Sequence, residues 1–358
     1  MTIAFLVLLK GLSKQELKYV INRQVIIMIL LYAIIAIQLI NSITGQLGVS
    51  GMLKGLFYPI SFFYTCLLVP HFILKMKMES RFAHLLIYTG LCFSAYTLIY
   101  SGMMSIPSFD IPSLQTAQFI YVHSLIDSNY QGAIVSISSV MCLYMIFIKH
   151  PMKIVYLMIF SINFFNLIVL SSRASMLAVM ISLFLFIFLL GSRLLRASTI
   201  AALLLIIICY PMWQGFIFSN DVLYNNVFDA ERGSTGRVEI WKEVWGRVSN
   251  HIMIGMGSDK IEVEVAGYYV QSSHNSFLDF LISHGFVVLC LYVIIFIIAI
   301  VKSISTIKYE PFFFILISLL VIMNFTTHNV GGVSYIPQVL GILLGFIYIQ
   351  RKPTKAAE

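Results

Sequence analysis

The sequence predicts an all-helical membrane protein, a polytopic transmembrane bundle of about ten spans with one long polar loop containing short helices. Three observations predict that class. Hydrophobic residues make up 59% of the 358-residue chain and charged residues only 11%, where soluble domains carry about 25% charged residues. The apolar residues come in continuous runs, not in the strict alternation of an outer-membrane barrel strand. A span needs about 20 residues, which leaves room for roughly ten of them in a chain of this length.

Residues 1–358 read as one membrane domain. Lys10, Lys14, Lys18 and Arg23 precede the first apolar run, Val25 to Ile40, so residues 1–23 form a cytoplasmic, interfacial helix and the first span leads outward. A neutral turn near Asn41 to Ser50 and a second span, Leu56 to Leu74, bring the chain back to Lys75, Lys77 and Arg81. The third span, Leu85 to Met104, opens into an outer segment, residues 105–130, that holds Asp110 and Asp127 but no Lys or Arg and reads as an entrance flap. Span four, Gly132 to Ile148, ends inside at Lys149 and Lys153; span five, Ile154 to Leu170, leads out to the tight turn SSRAS. Span six, Met176 to Leu190, ends inside at Arg193 and Arg196, and span seven, Ile200 to Phe218, rises to a long outer loop, residues 219–274. Spans eight (Ser276 to Val301), nine (Phe312 to Thr327) and ten (Gln338 to Ile349) complete the bundle and leave a basic cytoplasmic tail, 351–358.

Charge tests this layout. Seven of the 23 Lys and Arg residues (Lys54, Arg173, Arg232, Arg237, Lys242, Arg247 and Lys260) fall outside, leaving sixteen on the cytoplasmic side, as the positive-inside rule requires. The net charge of +8 is therefore mostly a topology signal. Cys66, Cys92, Cys142, Cys209 and Cys290 all lie in apolar runs and read as small buried hydrophobes, with no metal-type spacing. The opening MTIAFLVLLKGLSK lacks a basic n-region and a small-residue cleavage pattern, so no removable signal peptide is expected.

Basic residues outside, in a chain that keeps its positive charge inside, call for a reason. Arg173 sits in a turn too short to wander, at the level of lipid headgroups. It reads either as an arginine snorkelling to the interface or as a phosphate clamp, since its planar fork binds phosphate bidentately. Arg232 and Arg237 flank GSTG, after which Val238, Trp241, Val244 or Trp245, and Val248 recur at helical spacing. That segment is either an anion site beside a helix start or a surface helix laced by pairs such as Glu243 with Arg247. The glycines of HIMIGMGSD make a tight turn that could form an anion-binding nest. His274 opens the patch HNS at the mouth of span eight and is the residue type that relays a proton near neutral pH. Asn275 and Asp279, four apart, share a helical face. Asp279 lies one to two turns into an apolar run, where an ionisable group is a functional candidate. His284 and His328 read as packing groups or as groups that support the site from behind.

These residues, SSRAS, RGSTGRVEIW, IGMGSD and HNSFLDFLISHG in that order, resemble the O-antigen ligase and polymerase superfamily over roughly residues 165 to 300. The resemblance implies an inverting glycosyltransferase of the bacterial inner membrane that works at the periplasmic face, with both termini cytoplasmic. It implies an undecaprenyl-pyrophosphate-linked oligosaccharide as donor, a glycan acceptor, and a chain-length regulator as a possible partner, with no metal or other cofactor and no nucleic acid. Arg173 and Arg237 would bind the pyrophosphate, with Arg232 an alternative to Arg237, and His274 would be the catalytic base. Trp241, Asn275 and Asp279 join the substrate site. A polymerase is expected ahead of a ligase, because the chain is short and shows no large extra periplasmic domain to dock a core oligosaccharide. A transporter of lipid-linked glycans is the alternative of another class, but its charges should run through the midplane.

The topology has a direct consequence. A single cysteine placed by Asn225→Cys, in a chain whose native cysteines are replaced, is expected to react with an impermeant maleimide from the periplasmic side. Labelling from the cytoplasmic side alone would overturn the orientation.

Overall fold

The computed structural model describes residues 24–43, 64–100, 128–170, 172–208, 237–249, 263–265, 268–270, 275–307, 310–325 and 335–349, together with Gln15, Lys18, Ser61, Ile252, Met253 and Gly255. In chain order the elements are α1 (Val25–Ile43), a π-helical turn (Tyr64–Leu68) that runs into α2 (Val69–Lys75), α3 (Glu79–Tyr100), α4 (Ser128–Phe147), α5 (Lys153–Val169), α6 (Arg173–Leu190) and α7 (Arg193–Ile208). There follow α8 (Arg237–Val248), the strands β1 (Val263–Val265) and β2 (Tyr268–Val270), then α9 (Ser276–Thr306), α10 (Pro311–Asn324) and α11 (Tyr335–Ile349). A helix or helical piece falls in each of the ten predicted apolar runs. Among the described residues, Glu79–Ile99 and His284–Thr306 are long and apolar enough to cross a bilayer, and five shorter apolar helices accompany them. The outer segment expected over 105–130 ends early, since α4 begins at Ser128; its earlier part and the tail 351–358 lie outside the described residues, as do residues 1–23 apart from helical Gln15 and Lys18.

The chain forms two compact units, residues 1–82 with 239–358, and residues 83–238. In the second unit α5 shows why these helices belong in lipid. Ile154, Leu157, Met158, Ile162, Phe165 and Ile168 are exposed along one stripe, while Asn163 and Asn166 on the opposite face are fully buried. That is the reverse of a water-soluble amphipathic helix, which hides its apolar stripe. In hydrocarbon the apolar face needs no cover and the amides must find partners inside. They do: Ser94 Oγ donates to Asn163 Oδ1 at 2.8 Å, Asn163 Nδ2 to Ser138 Oγ at 2.9 Å, and Asn166 Nδ2 to Ser94 Oγ at 3.2 Å. Such bonds between membrane helices contribute about 0.6 kcal/mol each on average. Ser138 also donates to the Ile87 carbonyl at 2.8 Å, where Gly90 lets α3 close onto Ser138.

The first unit uses the same devices. Gln24 and Cys66 exchange two hydrogen bonds, Gln24 Nε2 to the Cys66 carbonyl at 3.3 Å and Cys66 Sγ to Gln24 Oε1 at 2.9 Å. Cys66 and Cys142 are buried as expected, but Cys290 is only half-buried and Cys92 is exposed on α3, because an apolar run marks a lipid environment, not a buried face; Cys209 lies outside the described residues. Tyr292 on α9 donates to Asn324 Oδ1 on α10 at 2.9 Å.

Helix α9 departs from the predicted eighth span. Gly285, at φ 84 and ψ 171, breaks it into residues 276–284 and 286–306. A straight helix rises 1.5 Å per residue, so Phe277 and Phe296 would lie about 28 Å apart and Phe280 and Tyr292 about 18 Å apart. Their ring centroids are 6.0 Å and 4.2 Å apart. The first limb therefore doubles back along the second. Phe277 also meets Phe325, just past the end of α10, at 4.9 Å. The span is confined to the second limb, and the polar start of α9 belongs to a separate short helix.

Candidate functional site

The site is organised by the reversal at Gly285. Beyond a helix break the first N–H groups of the new helix lack partners, and here the Phe286 N–H donates to the Ile252 carbonyl at 2.7 Å. Ile252 belongs to the segment that follows α8, so the polar segment is tied to the break by its own backbone. Gly255 completes the contact. It takes φ 82, and a Cβ there would stand 2.6 Å from the Gly285 nitrogen and 2.8 Å from the His284 nitrogen. The glycine of the IGMG turn is thus needed for backbone approach to α9, which supplies a packing reason where the sequence offered an anion nest.

Over the same limb lies α8. Ile240 and Val244 are buried together with Leu281 and Ile282, and Trp241, Ile252, Leu278 and Leu289 pack around them. The predicted stripe of α8 shares Trp241 and Val244 with the observed one. Ile240 takes a central place that the sequence reading missed, while Trp245 is 54% exposed. Val238, Ile240, Trp241, Val244, Trp245 and Val248 cover a wide arc of this helix, so periodicity alone did not choose the face.

The predicted site residues are placed as follows. Arg237 is the first residue of α8 and Trp241 is partly buried in the cluster beneath it. Asn275 caps the first limb of α9, its Oδ1 accepting from the N–H groups of Phe277 at 3.0 Å and Leu278 at 3.2 Å. That oxygen is thereby committed to the helix. Asp279, 3% exposed, is buried in the same limb. Its expected position inside a straight span is corrected by the reversal: it sits one turn into a short helix that lies against the span. His284 occupies the turn itself, with its ring 5.2 Å from that of Phe280, in keeping with a packing role. Arg173 is the first residue of α6, with Ser172 before it as N-cap residue; it and Arg237 fall within residues 83–238, and Asn275, Asp279 and His284 fall in the other unit. His274, Arg232 and His328 lie outside the described residues. His274 directly precedes the capping Asn275 in sequence.

The segment 219–274 was expected to hold short helices. Its described part holds α8 and an antiparallel hairpin in which Glu264 opposes Tyr269. The two residues between the strands, Ala266 and Gly267, are a hairpin-length connection. Gly267 was the available signal for this hairpin, as His284–Gly285 inside an apolar run was for the break.

The fold and the site define a class: a helical membrane protein whose polar segment is clasped onto a reversed transmembrane helix. Residues 157–293 match the family model described as O-antigen ligase, a match that supports the resemblance of this part of the chain to the O-antigen ligase/polymerase superfamily. No curated protein matches the chain. The matched stretch contains Arg173, Arg232, Arg237 and His274.

The glycine contact is open to test without any substrate. A side chain at φ 84 and ψ 171 costs about 1–3 kcal/mol, so Gly285→Ala is expected to lower the thermal midpoint of the purified protein and to expose the segment around Ile252 to protease. An unchanged midpoint with unchanged protease resistance would show that the reversal does not depend on glycine.

Proposed function

We propose that this protein is an inverting glycosyltransferase that polymerises undecaprenyl-pyrophosphate-linked repeat units of O-antigen, or of a similar surface polysaccharide, at the periplasmic face of the bacterial inner membrane. The observation that carries this reading is the match of residues 157–293, with the four chemistry-bearing residues inside it, to the O-antigen ligase family. In the proposed topology about ten spans hold both termini in the cytoplasm, and the loop of residues 219–274 is periplasmic.

The backbone supports the role given to the arginines. Arg173 opens α6 and Arg237 opens α8. A cation at a helix N-terminus opposes the helix dipole by about 0.3–1 kcal/mol, and an anion bound there reverses that balance, drawing on the free N–H groups as well. A pyrophosphate is such an anion. In the proposed reaction the hydroxyl of the acceptor glycan attacks the anomeric carbon while the bond from that carbon to the pyrophosphate oxygen breaks. A single displacement inverts the configuration. Arg173 and Arg237, with Arg232 the alternative to Arg237, stabilise the charge that gathers on the departing undecaprenyl pyrophosphate. His274 takes the hydroxyl proton, and the Asn275 amide and Asp279 line the acceptor side next to it in sequence. The leaving group is already activated, so the proposal calls for no metal and no other cofactor. The partners are the bilayer, the lipid-linked donor, the glycan acceptor and a protein that sets chain length.

A ligase that moves the glycan to the lipid A core is the second reading, favoured by the description of the matched family itself. Lipopolysaccharide from a strain lacking the gene separates the two: core bearing a single repeat unit supports the polymerase, and naked core with lipid-linked polymer accumulating supports the ligase.

Two substitutions test the chemistry. Arg237→Lys keeps the charge but loses the fork and is expected to lower transfer by about 10²-fold or more; a normal glycan length distribution would count against the clamp. His274→Ala is expected to lose about 10²–10⁴-fold in rate with membrane insertion intact, and wild-type transfer in that variant would remove His274 as the base.

A further inference from the structure

We infer that Gln131 and Gly132, at the start of α4, are positioning residues for Arg173. The inference rests on the reading of Arg173 as a ligand of the donor pyrophosphate and adds what holds it in place. The turn before Arg173 is tightly wound. The Leu170 N–H donates to the Asn166 carbonyl at 2.8 Å and the Ser172 N–H to the Leu167 carbonyl at 3.2 Å. A serine before a helix usually caps it with its hydroxyl. Ser172 makes no such cap; its Oγ donates instead to Ser175 Oγ at 2.8 Å, and both serines are buried.

Gly132 lies against this pair. A Cβ on Gly132 would stand 2.5 Å from Ser172 Oγ, 2.7 Å from Ser175 Oγ and 2.9 Å from Ser172 Cβ. Only a hydrogen fits there, and the backbone of α4 is the wall on which the Arg173 turn rests. The wall is itself tied down. Gln131, 3% exposed, donates through Nε2 to the Phe93 carbonyl at 3.0 Å and to Thr97 Oγ1, both on α3. A continuous path of contacts thus runs from α3 through Gln131 and Gly132 to Ser172 and Ser175, the residues on either side of Arg173. None of the four has a charge to offer the donor. Their part is to fix the backbone from which the guanidinium extends, and misplacement by about 1 Å can cost 10²-fold in rate.

The test uses the full-length protein in nanodiscs, with undecaprenyl-pyrophosphate-linked repeat unit extracted from the deletion strain as donor. Gly132→Ala is expected to raise KM for that donor and to weaken binding of undecaprenyl pyrophosphate itself by about tenfold or more, with KM for the acceptor unmoved. In the double variant Gly132→Ala with Ser172→Gly the methyl group moves across the contact, and donor affinity is expected to return. A donor KM unchanged in Gly132→Ala, or a loss that the double variant leaves in place at equal abundance, would overturn the positioning role. Arg173→Ala, measured alongside, separates the two ideas. Loss there without loss in Gly132→Ala sinks the seat alone, and full activity in Arg173→Ala sinks the donor-ligand reading and the seat with it.

Discussion

The reversal of α9 at Gly285 fixes more of this molecule than any other contact. A backbone at φ 84 and ψ 171 is open to glycine and closed to residues with a Cβ, and breaking a helix inside an apolar protein leaves N–H groups that water cannot reach. One of those groups is answered by the Ile252 carbonyl. The polar segment after α8 is therefore seated by hydrogen-bond satisfaction, and Gly255 is glycine because the same seat leaves no room for a methyl group. Once the first limb has doubled back, Leu281 and Ile282 become a surface for α8 to cover.

Aromatic contacts lock the reversed limb. Phe277 and Phe280 lie against Tyr292 and Phe296 of the returning helix, the Phe280 and Tyr292 rings stacked at 4.2 Å. Offset or edge-to-face ring pairs contribute about 0.5–1.5 kcal/mol beyond the area they bury. The Tyr292 hydroxyl is held by Asn324, so the limb is joined through one tyrosine to the end of α10. Asn275 then starts the limb with a cap on two backbone N–H groups.

Hydropathy made the apolar segments legible, because lipid imposes the same demand on every residue of a span. The motif order made the family match over residues 157–293 legible, since SSRAS, RGSTGRVEIW, IGMGSD and HNSFLD all fall inside it. The direction of the chain inside an apolar run was not legible. The stretch FLDFLISHGFVVL is equally apolar whether it runs straight or turns at Gly285, and the aromatic pairs that reveal the turn are twelve and nineteen residues apart. The buried face of α8 was obscured for a related reason: Val238, Ile240 and Val244 offer two overlapping stripes, and the partner that selects Ile240 and Val244 exists only after α9 has reversed. The same blindness to facing gave Cys92 as buried, although it is exposed.

The two units meet one physical problem by one means. Helices in hydrocarbon gain little by hiding leucine from lipid, so close backbone approach and interior hydrogen bonds must hold them. In the second unit that role falls to Gly90 against Ser138, to Gly132 against Ser172 and Ser175, and to the amides of Asn163 and Asn166. In the first it falls to Gly255 against Gly285, Gly345 against the Cys66 carbonyl, and the Gln24–Cys66 pair. The start of α6 is seated by such a contact, through Gly132, whereas α8 is held by side chains, Ile240 and Val244 packing with Leu281 and Ile282. Close backbone contact is a stiff support, because it has no side-chain rotamers to yield.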